Sequence, residues 1–185
     1  MNIIEAIKTR RTIYDFLPDR VPDPLLSQIL ETGIYAPNHK LTEPWRFTVI
    51  GRMTQSAIAE IHASAECAAL APEQAAAKKQ QLIDKLMAKP TIVVASCVKS
   101  EDPQRQIEDL LAVGCAIQNI QLAAWANGVG CQWGTGKITR SPEVIEQLGI
   151  ADNSIVVGFI YLGYPTDIPQ RPRKTALSDT IRWMR

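Results

Sequence analysis

Two adjacent arginines and a threonine, Arg10-Arg11-Thr12, follow the first amphipathic segment of the chain. A guanidinium group presents a rigid fork of N–H donors that matches phosphate oxygens, and a hydroxyl adds a further donor. The same basic pair also suits a helix C-terminus, where cations stabilise the negative end of the helix dipole. The sequence therefore indicates either a phosphate site or a solvated helix end at this point.

A second set of polar and aromatic side chains lies in a loop with two prolines. The segment Ala36-Pro37-Asn38-His39-Lys40 is followed by Glu43-Pro44-Trp45-Arg46-Phe47, which leads into a predicted strand. Loops held by a rigid scaffold are frequent carriers of binding and catalytic residues. On residue chemistry alone, a single histidine in such a loop favours a structural hydrogen bond over catalysis.

The glycine-rich run from Gly128 to Lys137 raises two nucleotide-binding hypotheses, and both fail. A Walker A loop needs glycine and a serine or threonine where Cys131 and Ile138 stand. A Rossmann fingerprint needs glycine where Trp133 stands, and it follows a strand rather than a helix. The centre of the run, Gln132-Trp133-Gly134-Thr135-Gly136, instead combines an aromatic ring with small residues, which suits backbone contact with a flat ring.

Metal-dependent and hydrolytic chemistry find little support in the sequence. The four cysteines and two histidines are far apart and form no CxxC pair, so the spacing typical of a zinc site is missing. There is no G-x-S-x-G turn to carry a serine nucleophile. We therefore expect the cysteines to be buried free thiols in a reducing compartment.

Composition favours a single soluble domain spanning 1–185. Hydrophobic residues make up 46% of the 185 residues, and 20 basic against 19 acidic side chains leave a net charge of +1. No block of like charge favours binding to nucleic acid or to an anionic membrane. The N-terminus lacks an apolar signal-peptide core, and no run of 18 apolar residues occurs, so we expect a cytoplasmic protein.

Hydrophobic periodicity and turn signals predict elements in the order α, α, β, α, α, β, α, β, α, β. Asn2 is expected to cap a first helix that ends near residues 9–11, and Asp23-Pro24 to begin a second that ends at Gly33. Strands separated by long helical segments are typical of an α+β sandwich. The predicted strands are 46–50, 91–98, 131–134 and 155–162. The remaining predicted helices lie within 54–88 (broken at Pro72), at 106–127 and from Ser141 to Gly149.

The longest predicted helix, residues 106–127, is apolar on nearly every side between Leu110 and Ala126. A helix that is hydrophobic all round has to be buried on all sides. In a chain of this size a second subunit provides that cover most readily, so the helix favours a homodimer. The alternative is a central helix that is covered by its own chain.

Six segments, taken in order, resemble the short single-domain members of the nitroreductase family of FMN enzymes. The combination carries the resemblance, which extends over nearly the whole chain. The segments are the Arg10-Arg11-Thr12 opening, the loop from Ala36 to Trp45, the apolar helix, the turn from Trp133 to Gly136, the strand from Val157 to Pro165, and the tail Arg171-Pro172-Arg173-Lys174.

This resemblance implies a nitroreductase-like α+β sandwich with a central, mostly antiparallel sheet flanked by helices, assembled as an intertwined homodimer. It implies two FMN sites shared between the subunits. Arg10, Arg11 and Thr12 match the residues that bind the phosphate and ribityl chain. Loop residues Tyr35 and His39 match positions that reach the flavin of the partner subunit. The other implied FMN contacts are Trp133, Gly134 and Thr135 beside the ring and Arg173 in the tail.

The implied activity is that of an FMN-dependent oxidoreductase. It passes two electrons from NAD(P)H through FMN to small oxidised acceptors such as nitroaromatics or quinones. No side chain is expected to be catalytic, because the flavin N5 carries the chemistry. Arg10 is expected to stabilise the charge of the reduced flavin, and Lys40 and Trp45 are expected to line the substrate slot.

Two alternatives remain open at the level of sequence. One is a relative that uses reduced FMN for dehalogenation or flavin breakdown, and the other is a flavin-binding or sensing protein without turnover. The chain also departs from the family pattern, because Tyr14 and Asp15 stand where many members carry basic residues. An extra positive charge at those two positions is therefore not expected.

Overall fold

The computed structural model describes residues 1–170, 172 and 174–184. This part of the chain folds into helices packed on one four-stranded sheet. The α-helices are α1 (Ile3–Thr9), α2 (Asp23–Glu31), α3 (Arg52–Cys67), α4 (Pro72–Met87), α5 (Pro103–Ala126) and α6 (Pro142–Gln147). The strands are β1 (Trp45–Ile50), β2 (Thr91–Val98), β3 (Gly130–Gly134) and β4 (Ser154–Gly163), and short 3₁₀ segments lie at Thr32–Tyr35, His39–Leu41, Lys137–Arg140 and Leu177–Asp179.

The sheet is antiparallel throughout, and its strand order is β1-β2-β4-β3. β2 lies at the centre, where Thr91 is paired with Leu162 and Val98 with Ser154. Every residue of β2 except Val98 is buried. This confirms the prediction that the β-branched, apolar run at 91–98 forms a strand covered on both faces.

Helices cover both faces of the sheet, because side chains alternate between the two faces along each strand. On one face, Ile160 and Leu162 of β4 belong to a core shared with α2 and α5. On the other face, Phe159 and Tyr161 belong to a second core shared with α3, α4 and α6. The predicted α+β sandwich is therefore confirmed as a helix–sheet–helix arrangement.

α5 is the central helix, and the chain covers most but not all of it. Ala116, Ile117 and Ile120 are fully buried, at 0% exposure. A stripe of residues spaced three or four apart stays uncovered: Ile107 (55% exposed), Leu111 (66%), Cys115 and Gln118. Neither α5 nor any other helix among the described residues is long and apolar enough to cross a membrane.

The end of α2 differs from its sequence prediction. The helix ends at Glu31, and a 3₁₀ turn then runs through Gly33, the predicted stop. A Cβ on residue 33 would lie 2.9 Å from Ile120 Cδ1 and 3.1 Å from Phe47 Cζ. Glycine at this position therefore permits close packing against α5 and β1 rather than ending a helix.

Phe159→Ala should lower the free energy of unfolding by about 3–5 kcal/mol, because it leaves a cavity in a closed core. The ring of Phe159 is fully buried, at 0% exposure, on the face that packs against α3, α4 and α6. Urea denaturation at matched protein concentration measures the loss. The control is Met53→Ala on α3, whose side chain is 90% exposed; it should change stability by less than about 0.5 kcal/mol. Equal losses for the two variants would contradict this core.

Candidate functional site

The basic turn after α1 is joined to the first residues of β3. Thr12 and Cys131 form an isolated parallel bridge, and Ile13 N donates to Cys131 O at 3.0 Å. A Cβ on Gly130 would lie 2.6 Å from Ile13 Cγ1, so only glycine allows the two segments to lie this close. The residues predicted to bind a phosphate and the turn predicted to contact a ring therefore belong to adjacent segments.

Arg11 serves one of the two roles that the sequence left open, that of the helix end. Its Nη1 donates to the carbonyl oxygens of Lys8 and Arg10, both at 2.9 Å, and so satisfies the C-terminal end of α1. Its Nε is buried and has no hydrogen-bond partner within the described residues. Arg10 extends to α5, where its Nη1 lies 3.4 Å from Oε1 of the buried Gln121. A buried donor such as Arg11 Nε suits an anionic acceptor.

The end of β3 presents an aromatic ring on one face of the sheet and an amide on the other. Trp133 is 38% exposed, and a Cβ added to Gly158 of β4 would lie 2.1 Å from its Nε1. The neighbouring Gln132 is half-buried, and its Oε1 has no hydrogen-bond partner within the described residues. Gly134 is half-buried and Thr135 is exposed. The strand thus offers an exposed aromatic surface and a buried acceptor within two positions.

A pocket of about 230 Å³ lies between α3, α4 and the end of β3. Lysines give it a positive charge. Lys137 is ion-paired, with its Nζ 3.1 Å from Oε2 of Glu66, and burial lowers the pKa of His62 below its ordinary value. Lys85 and Lys89 therefore contribute most of the net charge. The polar and small lining residues are His62, Lys85, Lys89, Gln132, Gly134 and Lys137.

Lys89 is a buried cation, only 6% exposed. Its Nζ donates to the backbone oxygen of Tyr14 at 2.5 Å and lies 5.1 Å and 5.6 Å from the ring centroids of Phe16 and Tyr161. Burial lowers the pKa of Lys89, and the charge of Asp15 partly opposes that shift. Lys89 thus brings a positive charge to the Tyr14–Asp15 segment, where the sequence itself has none.

The loop after the Thr32–Tyr35 turn has a strained backbone. Lys40 and Leu41 have φ of 55° and Glu43 has φ of 45°, values that cost side-chain-bearing residues about 1 kcal/mol or more each. Hydrogen bonds hold the loop in this shape: Thr42 Oγ1 donates to Asp109 Oδ1 (2.6 Å), and Glu43 N donates to Asn38 Oδ1 (3.0 Å). Strain that is maintained by specific contacts is a frequent property of functional loops.

His39 is held by α5, far from the basic turn of the same chain. Its Nδ1 lies 2.6 Å from Oε2 of Glu108, whereas Arg10 contacts Gln121 on the same helix. Glu108 and Gln121 are thirteen positions apart, which corresponds to about 20 Å along an α-helix. Within one chain, therefore, His39 and Arg10 contact α5 at two well-separated positions.

The remaining predicted site residues have different surroundings. Tyr35 is 75% exposed and Lys40 is exposed, so both are accessible to a ligand or a second chain. Trp45 is only 5% exposed and packs in the core shared with α2 and α5, which does not favour its predicted place in a substrate slot. Arg173 lies outside the described residues.

Sequence reasoning missed most of the charged pocket. The lysines come from the end of α4 and from the 3₁₀ segment after β3, and His62 comes from α3. The three segments that carry them, around residues 62, 85–89 and 137, are far apart in sequence and follow no spacing rule. The one available signal was Lys89, a cation placed directly between a helix and a buried strand, where burial of a charge calls for a local partner.

All four cysteines are free thiols, and three of them are buried as predicted. Cys67, Cys97 and Cys131 are buried and unpaired, while Cys115 is exposed on the open stripe of α5. Burial raises the pKa of the Cys131 thiol to about 12, so it is uncharged near neutral pH. Among the described residues, no three His, Cys, Asp or Glu side chains are grouped so that they could hold a metal ion.

Comparison with known proteins gives a consistent result. The sequence profile of the Nitroreductase family matches residues 7–164. YfhC of Bacillus subtilis (strain 168), whose name includes the words NAD(P)H nitroreductase, is 33% identical over 180 residues, which are 97% of this chain and 93% of that protein.

Two solved structures share the fold over all or nearly all of their length. The Nitroreductase-like Family Protein from Bacillus cereus has a TM-score of 0.85 and 27% identity, with 100% of this chain and 96% of that chain covered. The nitroreductase with bound FMN from Bacteroides fragilis NCTC 9343 has a TM-score of 0.76 and 25% identity, with both chains covered completely.

Proposed function

Because this chain belongs to the nitroreductase family, we propose that it is an FMN-dependent oxidoreductase that passes two electrons from NAD(P)H to small oxidised organic molecules. Nitroaromatics and quinones are the acceptor classes that we expect. The observation that carries the proposal is the pocket beside β3. It is lined by lysines and by Gln132, whose buried Oε1 has no hydrogen-bond partner in the described part of the chain.

The residues of this pocket fit the pyrimidine edge of a flavin. That edge carries one N–H donor between two carbonyl oxygens and becomes more negative on reduction. Gln132 Oε1 is a suitable acceptor for the N–H group, while Lys85 is a suitable partner for the oxygens and for the added charge. The buried Lys89 adds positive charge to the pocket while its Nζ keeps its hydrogen bond to the backbone oxygen of Tyr14.

The basic turn fits the other end of FMN. Arg11 Nε is a buried donor in need of an acceptor, and Arg10 and Thr12 lie on the same turn beside β3. A phosphate group satisfies such donors through charge-assisted hydrogen bonds. Arg11 Nη1, by contrast, serves the end of α1, so we assign only part of this guanidinium to the ligand.

When bound, FMN would supply the two-electron chemistry, and the protein would supply placement and charge. Arg10, Arg11 and Thr12 would bind its phosphate end, and Trp133 and Gly134 would contact its ring. Lys85 would stabilise the negative charge of the reduced ring. None of these residues has to transfer a proton from carbon, so a dedicated general base is not required.

We propose that the functional unit is a homodimer, in which each flavin site takes residues from both chains. The α5 residues that His39 and Arg10 contact are about 20 Å apart along the helix, which favours a site that combines His39 of one copy with Arg10 of another. The open stripe with Ile107 and Leu111 gives that copy an apolar surface to cover. Helix α1 adds further exposed apolar side chains that a second copy would cover, namely Ile3, Ile4 and Ile7.

Arg10→Gln should weaken FMN binding about 10- to 100-fold, the loss of one charge-assisted hydrogen bond. Flavin fluorescence titration measures the dissociation constant. Riboflavin, which has no phosphate, should bind wild type and variant equally. Lys8→Gln on the exposed side of α1 is the matched control and should bind FMN like wild type. A wild-type chain that neither copurifies with FMN nor takes it up, or that holds FMN without steady NADPH oxidation in the presence of a nitroaromatic or quinone, would contradict the proposed activity.

Lys85→Met should make the reduction potential of bound FMN more negative by about 20 mV, because a cation that favours the reduced ring is lost; about 1.4 kcal/mol corresponds to 30 mV for a two-electron couple. Equilibration with a reference dye measures the potential. Lys78→Met on the same helix is the control, since Lys78 Nζ contacts Gln81 Oε1 at an exposed site. Equal potentials for the two variants would remove Lys85 from the ring edge.

Leu111→Glu should convert the dimer to a monomer and abolish FMN binding with it. The substitution puts a charge in the centre of the open stripe of α5, which the second copy would cover. Analytical ultracentrifugation gives the mass, and absorbance at flavin wavelengths gives the FMN content. Met53→Glu, on an exposed part of α3, should leave both unchanged. A dimeric Leu111→Glu protein would show that the interface lies elsewhere.

A further inference from the structure

Two consecutive carboxylates of α5 hold the strained loop, and they do so in different ways. Asp109 is buried, at 4% exposure, and accepts a hydrogen bond from Thr42 Oγ1 at 2.6 Å. Glu108 is partly exposed and contacts His39, whose side chain is 53% exposed. The buried contact fixes the backbone of the loop. The exposed contact adds little to stability, but it determines what the imidazole can do.

The contact between His39 and Glu108 fixes the position of a proton. Glu108 Oε2 lies 2.6 Å from Nδ1, and the same carboxylate is near Arg105 Nε (3.5 Å) and Gln104 Nε2 (3.4 Å). The hydrogen bond from His39 holds the pKa of Glu108 below its ordinary value, so Glu108 is ionised near neutral pH. An ionised carboxylate only accepts hydrogen bonds, and Nδ1 therefore carries the proton.

The other ring nitrogen stays available for a ligand. With its proton on Nδ1, a neutral imidazole has an unprotonated Nε2 that accepts a hydrogen bond. No group of the described residues forms a hydrogen bond with Nε2. The backbone beside the ring is held as well, because Thr42 N donates to His39 O at 3.4 Å. Both the orientation of the ring and its tautomer are thus set from α5.

We propose that Glu108 is a positioning residue, which holds His39 in the Nδ1–H tautomer and so presents Nε2 as an acceptor to a hydroxyl or N–H donor of the molecule bound across the subunit interface. The identity of that molecule, FMN, rests on the proposed function. The tautomer and its dependence on Glu108 do not. The hydroxyl groups of the ribityl chain are donors of the required kind.

The tautomer is measured on the full-length chain by ¹⁵N NMR after labelling of histidine. The chain has only two histidines, so His39→Gln assigns both sets of signals. In the neutral form of the ring, we expect wild-type His39 to carry its proton on Nδ1, and Glu108→Ala to shift that proton toward Nε2. Glu108→Gln, whose amide oxygen still accepts, should keep part of the wild-type preference. A wild-type Nε2–H tautomer, or an identical tautomer in wild type and Glu108→Ala, would overturn the proposal.

The effect on the ligand is measured by FMN titration and a double-mutant cycle. Glu108→Ala should raise the dissociation constant about 3- to 10-fold, the loss of one aligned hydrogen bond. In a His39→Ala background the same change should have no further effect. An undiminished effect in that background, or no effect in either, would overturn the positioning role.

Asp109→Asn is the matched control, because it disturbs the neighbouring, purely structural contact. It should lower the melting temperature while the His39 tautomer stays that of wild type. Glu108→Ala should change the His39 tautomer and leave the melting temperature near that of wild type. If wild type takes up no FMN, the proposed function and the ligand-binding part of this inference both fail, and the tautomer spectra still decide the role of Glu108.

Discussion

The rest of the structure depends on the burial of α5. This helix has 24 residues, and its central positions, such as Ile117 and Ile120, are excluded from solvent. The sheet covers one side, and the Thr32–Tyr35 turn packs so closely on another that a Cβ at position 33 would lie 2.9 Å from Ile120 Cδ1. Because His39 contacts one part of α5 and Arg10 another, the helix also sets the distance between two groups of site residues. Packing and site geometry therefore have the same origin.

Charge in the candidate site is concentrated where water is partly excluded. Lys89 is buried against Phe16 and Tyr161, and burial raises the pKa of Tyr161 to about 12, so its ring stays uncharged beside the lysine. The electrostatic field of an ammonium group that is held in this way extends further than in water, because its surroundings have a lower dielectric constant. The pocket can thus favour an anion without a dense cluster of cations. This arrangement suits a ligand whose charge changes during turnover.

The sequence predicted the elements well, because their signals are local. The apolar β-branched run at β2 and the all-round apolar α5 were recognisable from periodicity alone. The proposed ring and phosphate sites could be predicted only from an ordered set of motifs, and Arg11 illustrates why. One of its nitrogens caps α1, while another has no partner within the described residues. A sequence identifies the residue but does not show which partner each of its N–H groups has.

What the sequence did not predict depends on contacts between distant segments. Lys85 and Gln132 line one pocket although they belong to α4 and β3. Trp45 was expected beside a substrate, but β1 turns it into the core, where it is 5% exposed. The pairing of His39 with Glu108 joins positions 69 residues apart. No spacing rule connects such pairs, so only the fold reveals them.

The close approach of Trp133 and Gly158 also has an evolutionary consequence. The indole nitrogen occupies the volume that any larger residue at position 158 would need, since an added Cβ would be 2.1 Å away. A larger residue at position 158 is therefore disfavoured as long as the indole keeps its present place. Homologous sequences with a larger residue at position 158 should carry a smaller one at position 133. Laboratory evolution that reshapes the surface around Trp133 will pass through the same restriction.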